Sequence, residues 1–264
     1  MNLIIINRDE LNEESLLTLT DYRSTHIRKV LKSTPGSILR IGILNGPMGK
    51  GIVEECNGKQ TVMRCSFNTT TPAPPKIDLI LAMPRPKVLT RLLPQLSAIG
   101  VGRIVILRAR KVERSYFDSH VLDASFYNAR LIAGLQQACC TRLPEVLIRK
   151  RFKPFLEHDL NQLFPESLRL LANPDAKTMI GANDNRIDTL TDPQRILLAV
   201  GPEGGWNTYE LKKLQGCNFT PVTMGDRILR TDTACVALLS VLTHMLSLSR
   251  MSSRSNPSRK EPRQ

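Results

Sequence analysis

The chain has 264 residues, with 37 Lys and Arg against 24 Asp and Glu, and so carries a formal net charge of +13. That balance favours a polyanionic partner, nucleic acid first. Cys56, Cys65, Cys139, Cys140, Cys217 and Cys235 form no Cys-x-x-Cys pair and the histidines are scattered, which argues against a zinc site and against a disulfide scaffold. No apolar run approaches the ~18 residues of a membrane span, and residues 3–6 are too short for a signal-peptide core; the expected location is the cytoplasm.

Residues 1–70 read as short strands over 3–6, 37–44, 51–54 and 60–67, with turns between them and one helix from Thr20 or Asp21 to Leu31. A small β-barrel with one helix fits that pattern. The glycine-rich run from Gly46 to Gly51 lies between strands and has no helix after it, so it reads as a hairpin rather than a phosphate loop. Pro72, Pro74 and Pro75 then stiffen a linker over 71–76. From Ile77 strands expected over 77–83, 103–107, 168–172, 195–200 and 219–224 alternate with helical patterns over 87–99 and 122–140. Pro94 should kink or divide the first of these helices, and Cys139 and Cys140 fall on the second. Residues 173–194 read as a loop with a short helix. The last helix, 232–248, is apolar on more than one side and so belongs in the core or at an interface. The alternation implies an α/β domain over 77–250, with a mostly parallel sheet covered on both faces. The basic segment 251–264 has little to pack and reads as disordered.

Two strand-to-helix turns carry the chemistry, since ligands in such sheets bind outside the carboxyl ends of strands. In Gly201-Pro202-Glu203-Gly204-Gly205 the glycines permit positive φ and close approach of a ligand to the backbone. Asn207 can cap the following helix, with Glu210 three residues on. Alone, this run fits equally a tight turn with no ligand. The second run is Met224-Gly225-Asp226-Arg227-Ile228-Leu229-Arg230-Thr231-Asp232-Thr233-Ala234. It sets two arginines near a helix start, a position that favours anions; in isolation those arginines could equally serve surface ion pairs. Basic residues also cluster from Arg85 to Arg114 and again at Arg142, Arg149, Lys150, Arg151 and Lys153.

Together and in this order, the two runs closely resemble the signature of the RsmE family, bacterial ribosomal RNA methyltransferases of the SPOUT superfamily. The run from His26 to Leu31, Val112-Glu113-Arg114-Ser115 and Leu143-Pro144-Glu145 add to the resemblance. It implies an N-terminal PUA-like barrel, a knotted (trefoil) methyltransferase domain, a homodimer, and transfer of a methyl group from S-adenosylmethionine to N3 of a uridine in small-subunit ribosomal RNA. Carried over by position, the cofactor residues are Leu171, Ala172, Asn173, Leu198, Val200, Gly201, Pro202, Glu203, Gly204, Gly205, Met224, Gly225, Ile228, Leu229, Arg230, Thr231, Thr233 and Ala234. Arg230, then Arg227, are expected to stabilise the uridine anion or grip the uridine phosphate. Glu203 or Asp232 is a candidate base, with capping or an ion pair to an arginine an equal reading for each. Arg8, Arg28, Lys29, Arg85 and Arg114 are expected RNA-backbone contacts. No metal is implied. The chain departs from the family pattern at Ala98, Gln136 and Cys140. A second reading is methylation of a ribose 2′-hydroxyl on ribosomal or transfer RNA, which the same cofactor loops would serve, and those departures keep open a third, an inactive ribosome-assembly protein.

Overall fold

In a computed structural model of the chain, residues 2–181, 187, 190 and 194–255 are described. Much of the expected 173–194 loop and residues 256–264 of the expected basic tail lie outside them. The chain divides into two compact units, and the division is not linear. Residues 1–74 form the first unit together with 93–98 and 128–143; the remainder forms the second.

The first unit holds a five-stranded sheet in the order β1 (Ile4–Ile6), β3 (Ile38–Ile43), β4 (Met48–Cys56), β5 (Thr61–Ser66), β2 (Leu16–Leu19). β1 runs parallel to β3, with helix α1 (Tyr22–Lys29) lying between them in sequence, and the other pairs are antiparallel. Asp21 caps α1 by accepting the Arg23 N–H. The expected Gly46–Gly51 hairpin is the β3–β4 connection. β2 was not anticipated: it is four residues long and is held by pairing with β5, far along the chain. One core gathers Ile4, Ile6, Leu17, Ile27, Ile41 and Met63. A second joins Leu3 and Ile5 to Leu135, with Cys139 and Cys140 at its margin.

The second unit is built on a six-stranded sheet in the order β11 (Thr220–Val222), β9 (Leu168–Ala172), β10 (Ile196–Val200), β6 (Ile77–Ala82), β7 (Val101–Leu107), β8 (Glu145–Arg149). Every neighbouring pair is parallel. β6 and β10 are buried along their whole length; β10 is an unbroken apolar run, and β6 is apolar except for the buried Asp78. β8 escaped the sequence reading because it is a five-residue edge strand bounded by charge.

Three helical expectations are corrected. Helix α2 (Pro86–Ile99) runs on through Pro94, so the proline does not divide it; burial of Leu89, Leu92, Leu93 and Leu96 on one side outweighs the backbone bond the proline lacks. Helix α3 (Ala124–Ala138) stops before Cys139, which takes a left-handed φ of 54°, so neither cysteine is helical. The last helix, labelled α5 below, runs Thr231–Ser255, past the expected end at 248 and into the expected tail. Over Thr231–Ser249 it is also long and apolar enough, by length and composition, to cross a membrane, with a mean hydropathy of 1.4. Cys235, Leu238, Leu239 and Leu242 are buried within the unit, so one face of the helix packs into the core, while 39% of that stretch as a whole is buried.

Candidate functional site

Three adjacent strands, β11, β9 and β10, deliver their carboxyl ends side by side, and the loops that follow line a cavity of about 390 Å³. At the end of β9 comes Ala172, followed by Asn173, Pro174 and Asp175. After β10 comes the turn from Gly201 to Gly205, and after β11 the loop that leads into α5. The loops are tied together. Asn173 N–H donates to Val222 O at 3.0 Å, and Thr231 Oγ1 donates to Gly201 O at 3.2 Å. Gly205 and Gly225 have φ of 68° and 125°, values that side-chain-bearing residues rarely adopt, so each turn needs its glycine.

The turn after β10 is fastened from three sides. Gly205 N–H closes it on Pro202 O at 2.8 Å. Lys111 Nζ donates to Gly204 O at 2.7 Å, and Arg85 N–H donates to Glu203 Oε1 at 3.0 Å. Helix α4 (Thr208–Gly216) then starts with the expected capping box, Asn207 and Glu210 each accepting from the other's backbone N–H. Glu210 does more than the sequence suggested. Only 2% exposed, it also accepts the Arg110 N–H at 2.6 Å, so one carboxylate joins the loop after β7 to the start of α4. Glu210→Ala strands these N–H groups, and a chemical-denaturation curve should show the unfolding free energy falling by about 2 kcal/mol.

Of the residues named from sequence, Ala172, Asn173, Val200, Gly201, Pro202, Glu203, Gly204, Gly205, Met224, Arg227, Ile228, Leu229, Thr231 and Ala234 line the cavity. Leu171, Leu198, Gly225, Arg230 and Thr233 do not. Leu171 and Leu198 are fully buried in mid-strand and packed into the sheet's core. Arg230 and Thr233 are exposed beside the start of α5, and the Arg230 carbonyl accepts the Ala234 N–H at 2.7 Å. Asp232 faces Arg91 at 3.7 Å. Cys235, one turn into α5, is fully buried; burial first and the Asp232 charge second push its thiol above the usual range, which disfavours the reactive thiolate.

Sequence reasoning missed Trp206, the chain's one tryptophan, whose position directly after Gly204-Gly205 was the available signal. It lines the cavity, is 8% exposed, and its buried Nε1 has no hydrogen-bond partner. Among the expected RNA contacts, Arg8, Arg28 and Lys29 belong to the first unit, where Arg28 Nε is buried without a partner. Arg85 and Arg114 belong to the second and are exposed. The departures at Gln136 and Cys140 lie in the first unit: Gln136 O accepts the N–H groups of Asn2 and Leu3, and Cys140 packs beside Leu3 and Ile5. Neither they nor Ala98 lines the cavity.

Residues 71–243 match the family model described as an RNA methyltransferase domain. Across 99% of this chain and the whole of its relative, the sequence is 30% identical to ribosomal RNA small subunit methyltransferase E of Treponema pallidum. It is 28% identical to ribosomal RNA small subunit methyltransferase E 1 of Borreliella burgdorferi, over 92% of this chain and 97% of that one. The fold is similar to the crystal structure of a ribosomal RNA small subunit methyltransferase E from Neisseria gonorrhoeae bound to S-adenosyl methionine. There the TM-score is 0.74 at 20% identity, covering 93% of this chain and 98% of that one.

Proposed function

This chain belongs to the RsmE family of ribosomal RNA methyltransferases, and from that premise we propose that it transfers a methyl group from S-adenosylmethionine to N3 of a uridine in small-subunit ribosomal RNA. The observation that carries the reading is the three-loop cavity at the carboxyl ends of adjacent parallel strands. Its lining suits the cofactor. Val200, Val222, Leu229 and Leu238 offer apolar walls, the two glycine-bearing turns offer backbone donors and acceptors, and Trp206 Nε1 is a buried donor in want of an acceptor. Arg227, a cation on the lining, is the group to pair with the cofactor's carboxylate. When bound, the cofactor supplies a methyl on a sulfonium, an electrophile that needs no acid activation.

The harder task falls on the acceptor side. Uridine N3 carries a proton and becomes nucleophilic only when that proton is lost. It also lies on the Watson–Crick edge, so the base must be unpaired or flipped out. Arg230, exposed and outside the cavity lining, would meet the incoming base and stabilise its anion. The Glu203 carboxylate already accepts the Arg85 N–H and Asp232 faces Arg91, so each remains a candidate base with a structural duty besides. Arg8, Arg28, Lys29, Arg85 and Arg114 would position the RNA without reading its sequence.

The same reading makes the five-stranded unit a PUA-like barrel over 1–70, joined by a linker over 71–76 to a knotted methyltransferase domain over 77–250 that works as a homodimer in the cytoplasm. The bond from Thr231 to Gly201 supports the close association of loops that such a domain needs. The departures at Ala98, Gln136 and Cys140 give no support to an inactive protein, since none touches the cavity.

The test is nucleoside mass spectrometry of small-subunit ribosomal RNA from a strain lacking the protein, beside its parent. Loss of 3-methyluridine, restored by the intact gene, is the expected result. Persistence of 3-methyluridine with loss of a 2′-O-methylated nucleoside would instead assign the ribose reaction.

A further inference from the structure

Two basic segments some forty residues apart in sequence meet on one face of the second unit. β7 and β8 are adjacent parallel strands, with Leu107 opposite Arg149 and the Arg108 N–H donating to Arg149 O at 3.0 Å. The chain therefore leaves both strands at the same edge, and the two exits form a cleft of about 430 Å³. Arg108, Arg110, Arg114, Lys150, Arg151 and Lys153 line it. Glu210 is the one carboxylate in the lining, and its oxygens are already occupied by the N–H groups of Arg110 and Asn207. Lys153 has a partner in Glu157 at 3.7 Å, an exposed pair that contributes little, and Glu157 is not part of the lining. Gathering so many like charges on one concave surface raises the energy of the free protein, and an anionic ligand relieves it.

We propose that this cleft holds the sugar–phosphate backbone of the RNA strand next to the target nucleotide, a proposal that rests on the reading of the protein as an RNA methyltransferase. The charges are spread along an open cleft rather than converged on one point, which suits successive phosphates better than a single small anion. Half-buried Phe152 and Tyr209, the latter 51% exposed, stand among them as surfaces on which unstacked bases can rest. The cleft also shares its walls with the cavity. Lys111 and Gly204 to Trp206 face the cavity, while their chain neighbours Arg110, Val112 and Asn207 face the cleft. A strand lying in the cleft would thus lie beside the cavity that the target base must reach. The Glu210 bond to Arg110 keeps the two walls together.

The experiment compares the full-length protein with the Arg114→Ala/Lys150→Ala/Arg151→Ala variant. The probe is a short, unstructured, fluorescein-labelled RNA, titrated across a salt series. Each lost phosphate contact removes about 0.7 from the slope of log affinity against log salt. The triple variant should therefore lose about 2 units of slope and bind roughly 100-fold more weakly at ~0.1 M salt. S-adenosylmethionine affinity, measured by calorimetry, should stay within about twofold as the control for folding. An unchanged slope and affinity for RNA would overturn the cleft. So would displacement of the RNA by uridine monophosphate at equal phosphate concentration, which would make the cleft a mononucleotide site. Neither result touches the methyl-transfer reading, which the nucleoside analysis decides independently on the unaltered protein.

Discussion

Arg195→Ala is expected to lower the unfolding free energy by about 3 kcal/mol, the largest stability loss of any single charge removal in the second unit. Asp78 is the second residue of β6, 1% exposed, and its two oxygens accept from Arg195 Nε and Nη2, each at 2.6 Å. Arg195 stands immediately before β10 and is about a third exposed, which places the loss at the low end of the ~3–5 kcal/mol seen when a buried pair is broken. The penalty comes from the carboxylate left behind, not from the attraction removed. Urea titrations should accordingly find Asp78→Ala/Arg195→Ala more stable than Arg195→Ala alone. If the double variant were the weaker of the two, the carboxylate would not be the source of the loss. Gly102 on β7 shows how closely the pair is enclosed: a Cβ there would stand 2.3 Å from Arg195 Nη2 and 3.1 Å from Asp78 Oδ1. Since Leu197 of β10 lies opposite Asp78, the ion pair also fixes the register of the strand that carries the Gly201 to Gly205 turn.

What the sequence disclosed about this site follows the range of the forces involved. The capping box of Asn207 and Glu210 and the need for glycine at 205 and 225 are local and could be read directly. The third bond of Glu210 could not, because its partner Arg110 lies a hundred residues away and becomes a neighbour only through the sheet. β2 and β8 were missed for the same reason: Leu-Leu-Thr-Leu and Glu-Val-Leu-Ile-Arg are short and gain their definition from strands far along the chain. In α3 the helical spacing continued on paper to Cys140, but a left-handed residue at Cys139 ended the helix first. The basic cleft was visible only as two separate clusters of charge, since nothing in either records that β7 pairs with β8. The residues assigned by resemblance divide by position. Most of the loop residues, with Ala172 and Val200 at the strand ends, reach the cavity; Leu171 and Leu198 are committed to the core, and Gly225, Arg230 and Thr233 lie outside the lining.

That division gives the two loop arginines different duties, and their variants should fail in different ways. Arg227 lines the cavity, whereas Arg230 lies outside it on the exposed flank where α5 begins. Arg227→Ala should therefore weaken S-adenosylmethionine binding by about 10-fold, the loss expected for one charge-assisted contact of ~1.5 kcal/mol. Arg230→Ala should leave cofactor affinity alone and lower kcat by about 100-fold at saturating RNA and cofactor. That is the lower end of the ~10²–10³ typical when one stabilising donor is taken from a developing anion. The pH dependence distinguishes this from mere misfolding. Raising the pH supplies the uridine anion without help, so the Arg230→Ala variant should recover part of its lost rate in alkaline buffer while the parent gains less. Calorimetry for the cofactor and single-turnover methyl transfer over a pH series would decide the matter. Full turnover in Arg230→Ala at saturating substrates would remove that arginine from the chemistry. If its rate were lost with no alkaline recovery, the side chain would be gripping the RNA backbone instead, and the loss should then appear in KM for RNA.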